Sequence, residues 1–221
     1  MQTIILAAGN NERFSGVHKS SLEAPDGRTF LEHQVETFDA NPIFYIAQRK
    51  YANELRGVLS QCTYMNGVPR VLLHAWLNNK TSGPIESLWQ ARSILEFLDE
   101  KNPVMIAYCD VLPPEKYVRE FVRNCEGVKT GIIVTESEDP RFQDAIKANG
   151  LKNSGLFYFD TAARLKKLLY STPISKRGAE NGIPDLVYRV KNPMMFVCPD
   201  VVDVGTPEAY KEWIENVLPQ N

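Results

Sequence analysis

Two groups of residues in this chain have the types and spacing for chemistry on a phosphorylated ligand. The first is Leu6-Ala7-Ala8-Gly9-Asn10-Asn11-Glu12-Arg13-Phe14, followed by Lys19. Small residues after an apolar run let the backbone approach a ligand closely, and their N–H groups can cradle phosphate. Arg13 and Lys19 add fixed positive charge in the same loop. A triphosphate needs that mixture, because charge builds on its oxygens during transfer. Taken alone, the same residues also suit a surface turn with its cations in water. Neither GxGxxG nor GxxxxGK[ST] occurs here, so the loop is not a dinucleotide fingerprint or a P-loop.

The second group is a pair of aspartates. Asp110 ends the apolar run Val104–Cys109, and Asp203 stands between Val201-Val202 and Val204. A carboxylate in such a place is costly unless it meets solvent, a partner or a cation. Two carboxylates from different strand ends can bind one Mg²⁺, which takes one or two carboxylates with phosphate oxygens and waters. The plainer readings are a helix cap near Thr206-Pro207 for Asp203 and a turn-former before Pro113 for Asp110. Cys62, Cys109, Cys125 and Cys198 form no CxxC pair, and His18, His33 and His74 have no metal-ligand spacing, which argues against zinc. Cys109 and Cys198 lie in apolar runs and are expected as reduced core residues.

The elements that must position these groups alternate between short β-type runs and longer helical ones. Strands are expected at 3–7, 43–47, 71–75, 104–108, 132–135 and 156–159, with an extended run over 197–204. Helices are expected at 30–38, 51–59, from Pro84 through Leu98, from Pro113-Pro114 with Tyr117, Phe121 and Val122 inward, at 161–169 and at 207–217. The alternation implies parallel crossovers in a doubly wound α/β sheet covered by helices on both faces. Ligands bind beyond the carboxyl ends of such strands. That rule singles out Gly9–Lys19, Ser82–Gly83, Asp110 and Asp203.

Composition bounds the rest. The 221 residues carry 25 basic and 27 acidic side chains, with a net charge of −2. No strong field favours nucleic acid. No apolar run approaches a membrane span, and Met1–Leu6 lacks the basic start of a secretion signal. A single cytoplasmic domain over 1–221 is expected, with no nucleic-acid or membrane partner. A homo-oligomeric state stays open.

The first loop resembles the signature L-A-A-G-x-G-x-R-F and following lysine of nucleotidyltransferases that make nucleoside-diphosphate sugars. Asn11 replaces the second glycine, and His18 stands where proline is usual. The similarity continues in order. Thr81-Ser82-Gly83-Pro84-Ile85-Glu86-Ser87-Leu88 resembles the Gly-x-x-x-Ser/Thr-Leu helix start beside the base. Asn153-Ser154-Gly155-Leu156-Phe157-Tyr158-Phe159 resembles the N-x-G-x-Y-x-F strand near the sugar. Val202-Asp203-Val204-Gly205-Thr206-Pro207-Glu208-Ala209-Tyr210 resembles D-x-G-T-P-E-x-Y.

The resemblance implies a mixed, mostly parallel, Rossmann-like nucleotide-diphospho-sugar transferase (GT-A-like) fold. It implies a nucleoside triphosphate and a sugar phosphate or other phosphorylated alcohol as substrates, with Mg²⁺ as cofactor and pyrophosphate as product. Leu6–Asn11, Ser82, Gly83, Glu86 and Ser87 would then bind nucleotide. Arg13 and Lys19 would be catalytic, and Asp110 and Asp203 would hold the metal. Asn153, Gly155 and Lys147 (Lys152 being the alternative) would bind the second substrate. Two other classes stay open: a metal-dependent glycosyltransferase, although Leu112 fills the second acidic position of Asp-x-Asp, and a nucleotide binder without turnover.

Overall fold

The computed structural model describes residues 1–9, 12–39, 41–136, 151–177 and 182–217. Asn10, Asn11 and Lys147 lie outside them. The chain runs β1 (Gln2–Ala7), α1 (Phe30–Thr37), β2 (Ile43–Gln48), α2 (Ala52–Cys62) and the short hairpin β3 (Tyr64–Met65) with β4 (Val68–Pro69). Next come β5 (Leu72–Leu77), α3 (Pro84–Gln90), α4 (Arg92–Leu95), β6 (Val104–Tyr108), β7 (Val111–Leu112) and α5 (Glu115–Asn124). The last part is β8 (Thr130–Glu136), β9 (Leu151–Phe159), α6 (Ala162–Tyr170), α7 (Ile183–Tyr188), β10 (Met194–Val197), β11 (Val202–Asp203) and α8 (Pro207–Val217).

A central seven-stranded sheet has the order β10-β8-β9-β6-β1-β2-β5. Only β9 runs antiparallel to its neighbours in that sheet. The sheet is therefore mixed and mostly parallel, the α/β arrangement that the resemblance implied. Every residue of β1 and β2 is buried, as strands covered on both faces require. Alternation along β1 sends Ile4 and Leu6 to a core under α3, α4, α6 and α7, and Ile5 and Ala7 to a second core under α1, α2 and α5. A third, smaller cluster joins Leu22, Ala24 and Phe30 to Val204 and to Trp213 of α8.

Several expected elements change. The helix opened by Pro84 breaks at Ala91, yet Leu88, Ala91, Leu95 and Leu98 still share one buried face. The buried residues of α5 are Val118 and Phe121, with Tyr117 packed beside them and Val122 only half-buried. Strand β9 begins five residues before Leu156, and α7 was not anticipated. The extended run over 197–204 divides between two sheets, β10 closing the main sheet and β11 pairing with β7. Pro199 and Asp200 stand between them, and a proline cannot donate to a continuing ladder. Among the described residues, no helix is long and apolar enough to cross a membrane.

Candidate functional site

Parallel pairing of β1 with β6, in register Leu6 to Tyr108, puts two loops at one sheet edge. One carries Ala8 and Gly9, the other Cys109 and Asp110. Gln48, at the end of β2, donates through Nε2 to the Ala8 carbonyl at 2.7 Å. Gln34 of α1 donates through Nε2 to the carbonyls of Tyr108 at 2.9 Å and Val111 at 2.7 Å. Gln34 thus holds the backbone on both sides of Asp110 and Gln48 holds the facing loop at Ala8; neither role has a local sequence signal.

The Lys19 ammonium donates to Asp110 Oδ2 at 2.7 Å, with side-chain exposures of 15% and 25%. Burial pulls the Lys19 pKa down, but attraction to Asp110, with smaller help from Asp203, outweighs it and the net shift is upward. Lys19 is therefore a permanent cation at neutral pH. Cys109 beside it is pushed up to about 12 by burial and by the Asp110 charge, so its thiol stays protonated.

The β7–β11 ribbon brings Asp203 alongside, opposite Val111, and the Val204 N–H donates to the Asp110 carbonyl at 2.8 Å. Gly205 lies close to both carboxylates. A Cβ there would lie 2.7 Å from Asp203 Oδ1 and 3.7 Å from Asp110 Oδ2, so glycine lets the backbone pack against Asp203. Two carboxylates this near one another offer oxygen donors of the kind a hard divalent cation prefers; among the described residues no cluster of three or more His, Cys, Asp or Glu forms a fuller metal site. Asp203 Oδ1 already accepts the Gly205 N–H at 2.6 Å, which orients that carboxylate.

A cavity of about 500 Å³ opens at this edge, lined among others by Leu6, Ala8, Gly9, Lys19, Ser82, Gly83, Ser87 and Asp110. Its size falls in the range of small-molecule sites. Ala7 is absent from the lining, because strand alternation turns its side chain into the opposite core. Glu86 turns back on Ser82, accepting from its N–H and hydroxyl; those bonds lower its pKa. Glu86 thus shapes the loop rather than the cavity. Ser87 is held by Thr81, hydroxyl to hydroxyl at 2.8 Å.

Asn153 and Gly155 reach the same edge because β9 runs backwards, but they stand behind the wall. Asn153 Oδ1 accepts the Gly155 N–H at 2.8 Å. Gly155, at φ +79°, leaves no room for a Cβ against Tyr108 and Val111. Arg13 is exposed on a 3-10 turn outside the cavity lining; the neighbouring Phe14 ring meets Tyr210 edge-on at 6.3 Å. Sequence reasoning missed Lys80, Tyr108 and Gly182 in the lining. Lys80 sits in the loop after β5, where the strand-end rule could have found it. Tyr108 ends the expected strand 104–108, where the same rule applies, whereas Gly182 depends on α7, which left no such signal.

The comparisons with known proteins bear on this fold. No curated protein sequence matches significantly. The nucleoside-diphosphate-sugar pyrophosphorylase from Vibrio cholerae RC9 superposes with a TM-score of 0.73 at 19% identity, over 96% of this chain and 99% of that one. UDP-glucose pyrophosphorylase complexed with UDP-glucose gives a TM-score of 0.72 at 13% identity, over 97% of each chain. The inositol-1-phosphate CTP transferase from T. maritima gives 0.68 at 12%, over 95% of this chain and 93% of that one. At such identities the likeness shows the fold alone. The model of the MobA-like NTP transferase domain matches residues 3–199. With a match over most of its length, the chain belongs to the MobA-like NTP transferase domain family.

Proposed function

We propose that this protein transfers a nucleoside monophosphate from a nucleoside triphosphate to a sugar phosphate or another phosphorylated alcohol, releasing pyrophosphate. The observation that carries the reading is the Lys19–Asp110 pair on the wall of a nucleotide-sized cavity. Family membership supports it, and so do the activities of the structural neighbours, which handle nucleotide sugars or a CTP transfer.

The attacking phosphate oxygen is already anionic, so displacement at the α-phosphorus needs no general base and no covalent intermediate. What the protein must supply is position and compensating charge. The backbone at Ala8–Gly9 and Gly83 admits the nucleotide closely. Lys19 turns from Asp110 to the α-phosphate and the attacking oxygen, replacing one anionic partner by another. Arg13 reaches the leaving pyrophosphate only by moving in from the exposed turn on which it stands. Asp110 and Asp203 would hold Mg²⁺, whose charge neutralises phosphate oxygens when bound.

The test is pyrophosphate release from each of the four nucleoside triphosphates with a panel of phosphorylated sugars and alcohols, with and without Mg²⁺. Pyrophosphate that depends on both substrates supports the proposal. Nucleoside diphosphate released from a nucleotide-sugar identifies a glycosyltransferase instead. A thermal shift with triphosphate and no product identifies a binder.

A further inference from the structure

His18, next to Lys19, has no part in the chemistry above, yet its side chain is fully buried and fully used. Nε2 lies 2.9 Å from the carbonyl oxygen of Ala7, the last residue of β1. Nδ1 accepts the Ser20 N–H at 3.1 Å. A carbonyl can only accept and a backbone N–H can only donate, so the proton is on Nε2 and Nδ1 is bare. The ring is neutral, in one tautomer, and bridges the strand end to the turn Lys19–Ser21. The surroundings fix that turn further. The His18 N–H donates to Glu54 Oε1 at 2.8 Å, the Ser21 hydroxyl to the His18 carbonyl at 2.7 Å, and Tyr45 Oη to Ser20 Oγ at 2.8 Å. The Tyr51 ring meets the imidazole edge-on at 4.9 Å.

We infer that His18 is a positioning residue, a strut that ties the Lys19 turn to the end of β1 and so holds the Lys19 ammonium at the cavity wall. The inference rests on the phosphate role proposed above for Lys19. A merely space-filling histidine would not need two bonds of opposite sense at opposite ring nitrogens. Protonation would turn Nδ1 from acceptor to donor against the Ser20 N–H and would break the strut. The charged and titratable groups around the ring are Glu54 of α2, Tyr51 with Lys50 over its ring, Tyr45 of β2, Lys19 itself and Asp110 beyond β6. Burial disfavours the protonated ring more than the Ala7 carbonyl and Glu54 favour it. The strut is therefore intact at neutral pH and fails only in acid.

Two substitutions separate strut from filler. Asn places an amide oxygen near the Nδ1 position and cannot take up a proton in this range, whereas Leu fills space and accepts nothing. Wild type, His18→Asn, His18→Leu and Lys19→Ala are compared in two ways: hydrogen exchange of the 19–22 amides, and calorimetric binding of inorganic tripolyphosphate with Mg²⁺. Around pH 7.5, His18→Asn, which keeps an acceptor for the Ser20 N–H but is too short to reach the Ala7 carbonyl, should retain part of the amide protection and bind between wild type and His18→Leu, while His18→Leu should lose about tenfold in affinity, the scale of an unpaired buried donor. As the pH is lowered past the ordinary histidine value and on until folded His18 takes up its proton, wild type should weaken more than His18→Asn. If His18→Leu does not fold, the two pH profiles of wild type and His18→Asn decide alone. Superposable profiles, or His18→Leu matching wild type in both readouts, would overturn the strut and leave the Lys19 reading standing. If Lys19→Ala binds tripolyphosphate as wild type does while protection still follows His18, the phosphate role of Lys19 falls, not the strut.

Discussion

Lys19 Nζ and Asp110 Oδ2 are 2.7 Å apart although 91 positions separate the residues in sequence. The pair couples the two groups that sequence reasoning had singled out separately, one for phosphate and one for metal. On the function proposed above, the pair is a resting state in which each charge is compensated by the other until substrate phosphate and a cation replace them. Half-buried ion pairs of this kind contribute little net stability, so its reason lies in the chemistry.

That argument sets the first prediction. Lys19→Ala should lower pyrophosphate-releasing turnover by about 100-fold or more, the cost of removing one preorganised charge-stabilising donor. Stability should fall by no more than about 1–2 kcal/mol, the cost of leaving the half-buried Asp110 carboxylate without its partner. Wild-type turnover in a normally folded Lys19→Ala protein would remove Lys19 from the phosphate path.

Gly155 makes a prediction about the wall behind the site. Its φ of +79° is a left-handed conformation, and a Cβ would stand 2.9 Å from the Tyr108 ring and 3.1 Å from Val111. Gly155→Ala should cost about 2–4 kcal/mol, combining left-handed strain with overpacking. Because Tyr108 and Val111 bracket Asp110, activity measured well below the melting transition should fall as well. A denaturation midpoint equal to wild type would contradict the geometry.

The buried His18 predicts a pH dependence of stability. Burial chiefly holds its folded pKa below the ordinary histidine value of 6.5. Above that value the ring is neutral folded and unfolded, and its full contribution is present. As pH falls below it, the unfolded chain takes up a proton that the folded chain refuses, so stability is lost until the pH passes the folded value. Melting curves of wild type should therefore drop more steeply between about pH 6.5 and pH 5 than those of His18→Asn. Parallel curves would mean that His18 titrates alike in both states.

How much of this was legible in sequence depends on whether the signal is local. Strand β1 showed itself as a short apolar run with small residues behind it, and Asp110 as a charge ending another. The buried face Leu88, Ala91, Leu95 and Leu98 survived even a break in its helix, because a period of 3.6 fixes a face before it fixes a length. Non-local features were hidden. Strand β9 reads like its parallel neighbours, since both kinds are apolar when buried on two faces. Its reversal carries Asn153 and Gly155 to the site edge. Gln34, Gln48 and His18 are ordinary polar residues until tertiary pairing supplies backbone carbonyls for them to bond.

The last prediction concerns Asp110 and Asp203, both of which lie close to Gly205. If both hold one Mg²⁺, replacing either by Asn removes a negative ligand while keeping its size. Each single change should lower turnover by roughly 100-fold or more, and the double change should add little, because groups acting as a unit are non-additive. Chelation of the wild-type protein should reproduce that loss, and added Mg²⁺ should reverse it. Stability should separate the two variants. Asp110→Asn deprives the half-buried Lys19 ammonium of its partner and should cost about 1–2 kcal/mol, less than in a dry interior because water reaches both groups. Asp203→Asn keeps an amide oxygen for the Gly205 N–H and relieves repulsion between neighbouring carboxylates, so its melting temperature should hold level or rise. Two purely structural aspartates would instead give two independent stability losses and turnover that persists in chelator. That outcome would remove the shared cation and leave Asp110 as no more than the counter-charge of Lys19.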